Sequence, residues 1–249
     1  MARIIINADD FGLNANVNEA IVYCFRNNLI SNTTVLSNMG CSSEAAVSIS
    51  KEYDFKDKVG LHLNLQEGVP MTEKIKSIPL FCSRDGHFKG IHLPAVKKAM
   101  PAFILSKSER EALKEEIDAQ LLWYLDHGFT EKHMDSHQSV HSWNVILDVV
   151  LPLFQKYGFK TMRKRVHRGG GVLVEAYEKA VNCRIPGSVI FLGDDYTTFK
   201  SVVGRAEKQV YELMTHPVFR DGKCVDDITG KEIKNTNLYD FELISYADL

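Results

Sequence analysis

Four segments carry side chains that can hold a cation or move a proton: Asn7-Ala8-Asp9-Asp10-Phe11-Gly12, Gly60-Leu61-His62-Leu63-Asn64-Leu65, His133 through His141, and Glu212 through Pro217. The carboxylates of Asp9 and Asp10 sit in a turn that ends a short β-type run, and neighbours there cannot point the same way. One can bind a cation while the other works nearby; the plainer alternative is that one caps the following helix or bonds a turn amide. In the second segment residues i and i+2 share a strand face, so His62 and Asn64 point together, away from Leu61, Leu63 and Leu65. Polar groups on a buried face need partners, and a lone histidine is more often a satisfied core residue than a ligand. The third segment puts His133, Asp135 and His137 on one face, with His141 just past it. A metal-bound histidine commonly gives its second ring N–H to a carboxylate, and Asp135 is close enough to His137 to serve. A polar surface loop would not explain why four of the nine histidines (His127, His133, His137 and His141) fall within fifteen residues. His216, before Pro217, matters only as a proton donor to a site that the others organise.

Asp10, His62 and His137 together offer one carboxylate and two imidazoles. Such a set leaves positions open for water and substrate, as catalytic rather than structural metal sites do. A metal-bound water of lowered pKa is a nucleophile at neutral pH, and the same ion polarises a carbonyl oxygen. Asp9 is then the candidate to take the water's proton, and His216 to give one to the leaving amine. The reaction class is metal-assisted hydrolysis.

The elements that must position these residues alternate strand and helix. A strand, Arg3 to Asn7, leads into a helix capped by Asn14, with Val17, Ala20, Ile21, Cys24 and Phe25 at helical spacing. Strands follow at Thr33–Leu36, Val59–Leu65 and Lys132–His137, with a helical stretch around Glu44–Ser50. A capping-box spacing at Ser108–Glu111 opens a helix whose stripe is Leu113, Ile117, Leu121 and Leu125. Ser142 caps another that carries Pro152, and Gly158–Met162 reads as a short strand. Gly169-Gly170-Gly171 precedes a helix to Asn182; Ser188–Leu192 and Val210–Thr215 read as strands, and Asp221-Gly222 and Thr229-Gly230 as turns. Residues 66–107 break the rhythm, holding four of the seven prolines, and read as an irregular insertion. The pattern predicts an α/β fold, residues 1–249 as one domain, and catalytic residues at the C-terminal ends of strands.

Composition narrows the function further. The 249 residues are 45% apolar and 25% charged, with 30 Lys+Arg against 32 Asp+Glu, which leaves no basic field for nucleic acid. Five scattered cysteines without a CxxC pair suit neither a disulfide framework nor a zinc ribbon. No apolar run has the roughly 18 residues of a membrane span, and the first residues lack the long apolar core of a signal peptide. The expectation is a cytoplasmic protein without membrane or nucleic-acid partners, for which a homodimer is an open alternative.

At these residues the chain resembles the YdjC-like carbohydrate deacetylase family, which includes the chitooligosaccharide deacetylases. The resemblance rests on Asn7-Ala8-Asp9-Asp10-Phe11-Gly12, the Gly-x-His-x-x-Leu of residues 60–65, Asp135-Ser136-His137 with His141, His216-Pro217, and the ending Phe241–Leu249. It implies a distorted (β/α) barrel and removal of an N-acetyl group from an amino sugar. It also implies Asp10, His62 and His137 as ligands of one divalent ion, magnesium by family habit, although two imidazoles suit zinc. Asp9 becomes the base, His216 the acid and Arg163 the group that orients the base, while Asn64, Asp135 and His141 support the site or line the sugar cleft. Many members read Asp-Ser-His-His-His-Val-His where this chain has Gln138 and Ser139, a difference at the sugar rather than at the metal. The expected substrates are short chitooligosaccharides or their phosphorylated disaccharides. The competing readings are a glycosidic or phosphosugar-cleaving hydrolase and a non-catalytic sugar-binding or regulatory protein.

Overall fold

Apolar runs too short to be helices, separated by amphipathic helical stretches, fold in the computed structural model as the strands of one parallel sheet. Residues 2–91, 104–165, 172–193, 209–234 and 241–249 are described. The strands of that sheet are β1 (Ala2–Phe11), β2 (Asn32–Val35), β3 (Val59–Leu63), β4 (His133–Ser136), β5 (Thr161–Met162), β6 (Ile190–Phe191), β7 (Val210–Thr215) and β10 (Phe241–Leu243), while β8 (Pro217–Arg220) and β9 (Lys223–Asp226) pair apart from it. The main sheet runs β5-β4-β3-β2-β1-β7-β6, and every ladder in it is parallel. β10 adds to β1 at Ala2–Ile4, on the half of that strand that β2 leaves free. The sheet curls into a half-barrel flanked by helices, the architecture expected from the strand–helix alternation. At its ends a backbone hydrogen bond from Met162 N to Pro186 O, 3.0 Å, joins β5 to the residues that lead into β6.

The two faces of the sheet differ in chemistry. Ala8, Leu61, Leu63 and Met134 are fully buried in the main apolar cluster beneath the helices. Their neighbours Asn7, Asp9, His62 and Asp135 share the other, polar face. Those helices are α1 (Ala15–Arg26), α2 (Cys41–Glu52), α3 (Glu73–Lys76), α4 (Lys107–Asp126), α5 (Asn144–Lys156) and α6 (Val172–Arg184). Asn14 caps α1 by accepting from Val17 N, as its sequence position predicts. The capping box of α4 uses Ser106 and Glu109 rather than Ser108 and Glu111. Both pairs satisfy the same three-residue spacing, and tertiary context selects the earlier one. Trp143 rather than Ser142 is the N-cap of α5; the Ser142 hydroxyl donates instead to Ser139 O.

Other expectations shift by a few residues. β3 stops at Leu63, so Asn64 lies beyond it, and β5 is confined to Thr161–Met162. The stretch read as irregular contains α3 and a bridge between Cys82 and Phe88; its residues 92–103 lie outside the described set, as do Gly169, Gly170 and Gly171. The turn at Asp221-Gly222 joins β8 and β9 as an antiparallel hairpin, both residues having positive φ (50° and 75°), the geometry that suits strand twist in a two-residue loop. Among the described residues no helix is long and apolar enough to cross a membrane.

Candidate active site

The chemistry-bearing side chains converge at the C-terminal ends of the parallel strands. β1 brings Asp9 and Asp10 there through a bulge: Ala8 pairs with Thr33 and Phe11 with Val35, so three steps of β1 match two of β2. Within the bulge Asp10 adopts φ 69°, a left-handed conformation unusual outside glycine that Asp tolerates better than most. This twist breaks the alternation of the strand and lets two adjacent carboxylates reach one centre. Sequence spacing alone points them apart.

Asp10 Oδ1 lies 3.1 Å from His62 Nε2 and 2.8 Å from His137 Nδ1. These three side chains form a set whose ligand atoms lie within 4.8 Å of one another. β3 and β4 run in register with His62 opposite Asp135, and His62 Nδ1 donates to Asp135 Oδ1 at 2.6 Å. Asp135 therefore buttresses His62 and not His137, a correction to the reading from i, i+2 spacing. His137 lies past the end of β4, and its Nε2 instead meets Glu67 Oε1 at 2.7 Å. Thr34 on β2 adds a hydroxyl that donates to Asp135 Oδ2 at 3.0 Å. β3 passes close enough to its neighbours that a Cβ at Gly60 would stand 2.9 Å from His133 O, so a larger residue would disturb this register.

Arg163, just past β5, forks over three buried carboxylates. Its two terminal nitrogens bond Asp9 at 2.6 and 2.7 Å, one also reaches Asp135 Oδ2 at 2.8 Å, and Nε bonds Glu212 on β7. Asn7 Nδ2 donates to Asp9 Oδ1 at 2.9 Å. His216, directly after β7, places Nε2 3.8 Å from Asp9 Oδ2. The β8–β9 register sets Asp226 opposite Pro217, where its carboxylate accepts from His216 N at 2.7 Å and stands 3.7 Å from His216 Nδ1.

The remaining sequence candidates make contacts within the protein. His141, 1% exposed, holds Ser136 Oγ with Nδ1 and Arg163 O with Nε2, contacts that reach the backbone of the residue bearing the guanidinium. Asn64 is fully buried and fixes the turn at Gln66–Glu67. His133 stacks on Tyr246 with ring centroids 3.5 Å apart, and His127 bonds Trp123 O outside the cluster. Thr34, Glu67, Glu212 and Asp226 carry contacts that sequence spacing does not foretell. Glu67 falls in the stretch without periodicity, and Asp226 meets His216 only through the hairpin.

Electrostatics follow from this packing. Burial raises the Asp9 carboxyl's pKa, but Arg163 more than reverses that and keeps it ionised. Burial likewise opposes the charge on Asp10, and the hydrogen bonds of His137 and His62 hold it well below the usual carboxylate range. His137 is lifted to about 9, because its bonds to Asp10 and Glu67 outweigh desolvation. His62 moves up for the same reason, with Asp135 and Asp10 as its partners. Among the described residues the ion pairs of Asp10 are with these two imidazoles. Imidazoles offset a buried carboxylate only by binding protons, whereas a divalent cation supplies that charge directly. With Asp9 and Asp135 committed to Arg163, the set Asp10, His62 and His137 fits a divalent metal in donor type and number.

A family model described as YdjC-like protein matches residues 3–243. The chain belongs to the YdjC-like family. Its relatives include a carbohydrate deacetylase of Halalkalibacterium halodurans, 30% identical over 222 residues, covering 88% of this chain and 86% of that one. Another carbohydrate deacetylase, from Clostridium beijerinckii, is 28% identical and covers 99% of this chain and all of the relative. A crystal structure from Enterococcus faecalis, of a protein assigned provisionally to cellobiose-phosphate cleavage, superposes with a TM-score of 0.66 over 88% of this chain and 82% of that one. At 23% identity that likeness is one of fold. In this YdjC-like chain Gln138 and Ser139 follow His137 with φ of 52° and 54°, two consecutive left-handed residues. Gln138 Oε1 accepts from Gln66 Nε2 at 3.0 Å, which ties that strained turn to the loop bearing Glu67.

Proposed function

We propose that the protein is a metal-dependent carbohydrate deacetylase that hydrolyses the acetamide of N-acetylated oligosaccharides, with short chitooligosaccharides or their phosphorylated disaccharides as substrates. The observation that carries this reading is the Asp10–His62–His137 set beside an ionised Asp9 and His216. Carbohydrate deacetylase relatives that align along nearly the whole chain support the choice of substrate class.

Asp10, His62 and His137 would hold one divalent ion, magnesium by family resemblance, with zinc equally suited to two imidazoles. Such an ion lowers the pKa of water and polarises a carbonyl oxygen. Asp9 accepts the proton of the attacking water: Arg163 holds it ionised, and while Oδ1 is taken up by Arg163 and Asn7, Oδ2 keeps a second lone pair beyond its bond to Arg163. That clamp also fixes the direction from which the proton arrives. His216 donates to the departing amine. Burial works against its charge, but Asp226 and Asp9 raise its pKa and so favour the protonated form that an acid needs. Asp9 and Asp10 are adjacent in one bulge, which is poor geometry for flanking a glycosidic bond with two carboxyls.

Acetate release from a panel of N-acetylated mono- and disaccharides, with and without phosphate and at defined metal, tests the reading. The expected result is acetate without chain cleavage, abolished by chelation. Chain cleavage without acetate would overturn it, as would a His62→Ala variant that kept full metal content and full acetate release.

A further inference from the structure

We propose that Glu67 is a positioning residue for His137, holding the outer nitrogen of that imidazole so that Nδ1 faces Asp10. The inference rests on the metal-dependent reading above and adds a residue to it. The two imidazoles of the set are built alike. His62 turns Nε2 toward Asp10 and gives Nδ1 to Asp135; His137 turns Nδ1 toward Asp10 and gives Nε2 to Glu67. Glu67 thus stands across the ring from Asp10, where a carboxylate orients the imidazole and does not compete with it as a ligand. Outer carboxylates of this kind fix the tautomer and raise the basicity of a metal-bound histidine.

The two buttresses differ in how they are held. Asp135 is fully buried in register on β4, whereas the Glu67 side chain is 47% exposed and lies in a turn. A half-exposed carboxylate can orient a ring only if its backbone is fixed, and this turn is. Asn64 Oδ1 accepts from Gln66 N and Glu67 N at 2.9 and 3.3 Å, and its Nδ2 donates to Glu67 O at 2.9 Å. Asn38 Nδ2 donates to the same carbonyl at 3.0 Å. Gly68 follows with φ 79°, a left-handed conformation that strains any other residue, and a Cβ there would meet Met39 Sδ at 2.7 Å and Asn38 O at 3.2 Å.

His137 needs that support. β4 ends at Ser136, and the next two residues after His137 are left-handed without being glycine, a conformation that persists only where its surroundings impose it. Gln66 and Glu67 clasp Gln138 and His137 respectively, side chain to side chain, at 3.0 and 2.7 Å. The first residues of the stretch 66–107 therefore set the orientation of one member of the proposed metal set.

The test uses the full chain freed of metal by chelation and titrated with Zn2+ alone in a calorimeter. Glu67→Ala is expected to bind Zn2+ about 10- to 100-fold more weakly than wild type, and Glu67→Gln, which keeps an acceptor and loses the charge, to fall between them. Thermal unfolding of the three chelated proteins should coincide, since the residue is half-exposed. Zn2+ affinity of Glu67→Ala within roughly twofold of wild type overturns the positioning role while leaving the metal reading intact. A wild-type chain that takes up no Zn2+ overturns the metal reading and this inference with it. A large drop in the unfolding temperature of chelated Glu67→Ala assigns the residue to stability and also overturns the proposal.

Discussion

His62 and Asp135 stand opposite one another on adjacent parallel strands, and their side chains meet at 2.6 Å. Asp135 also accepts from Thr34 Oγ1 and from Arg163, so one fully buried carboxylate links the proposed metal-binding imidazole to the guanidinium that clamps the proposed base. Asp135 thus contacts both halves of the proposed site. Asp135→Asn keeps the size of the group and removes its charge. Zn2+ affinity measured by calorimetry should fall about 10- to 100-fold. Stability in urea should fall by on the order of 2 kcal/mol, the worth of a hydrogen bond to a charged partner. Unchanged affinity would mean that His62 does not depend on this carboxylate for its orientation.

Asp226 controls the proposed acid. Burial lowers the pKa of His216, and Asp226 with Asp9 more than restores it, so the group stays protonated to higher pH than an ordinary imidazole. Removing the charge in Asp226→Asn should lower that pKa. The alkaline limb of the kcat–pH profile then moves to lower pH, and activity falls more at pH 8 than at pH 6. An unshifted limb would remove His216 from the acid role, or Asp226 from its support.

Much of this arrangement is legible in residue types and strand ends. Asp9, Asp10, His62, His137, Arg163 and His216 all lie where a parallel strand finishes, and periodicity locates most of those strands to within a few residues. The pairing of Asp135 is not legible, because i, i+2 spacing describes one strand and the partner is set by the register between two. Glu67 is hidden in a turn with no period, held by Asn64 from three residues away and by Asn38 from across 29 residues of chain. Asp226 is hidden for a different reason: its approach to His216 depends on the hairpin closing at Asp221-Gly222. The convergence of Asp9 and Asp10 depends on a bulge with one left-handed residue, which strand alternation argues against.

Arg163 is the buried counter-charge for Asp9, Asp135 and Glu212, all 2% exposed or less. Arg163→Met preserves much of the volume and leaves three carboxylates without their cation. Unfolding in urea at pH 7.5 should show a loss on the order of 3–5 kcal/mol. Those carboxylates can discharge by taking up protons, so the deficit relative to wild type should shrink at pH 5. Arg163→Lys retains a charge but not the fork and should fall between the two. A loss that is the same at both pH values would mean that packing, and not charge, is what Arg163 contributes.

Glu131 offers a test of stability away from the site, at the opposite end of β4 from His137. Its side chain is buried, Oε1 accepts from Lys132 N at 2.8 Å, and Oε2 has no partner among the described residues. Burial, aided by the charges of Asp57 and Asp248, pushes its pKa up to about 7 against hydrogen bonds that work the other way. The unfolded chain releases that proton near the ordinary value of 4.5, so between pH 4.5 and 7 the folded state binds more protons than the unfolded one. The contribution of Glu131 to stability is therefore fullest below about pH 4.5 and declines as pH rises through 7. Glu131→Gln removes the titrating group and keeps an acceptor for Lys132 N. Urea unfolding should find the variant about equal to wild type at pH 4.5 and more stable at pH 8 by on the order of 2–3 kcal/mol. Parallel stability curves for the two proteins across that range would show that the Glu131 carboxyl ionises in the folded protein at no cost.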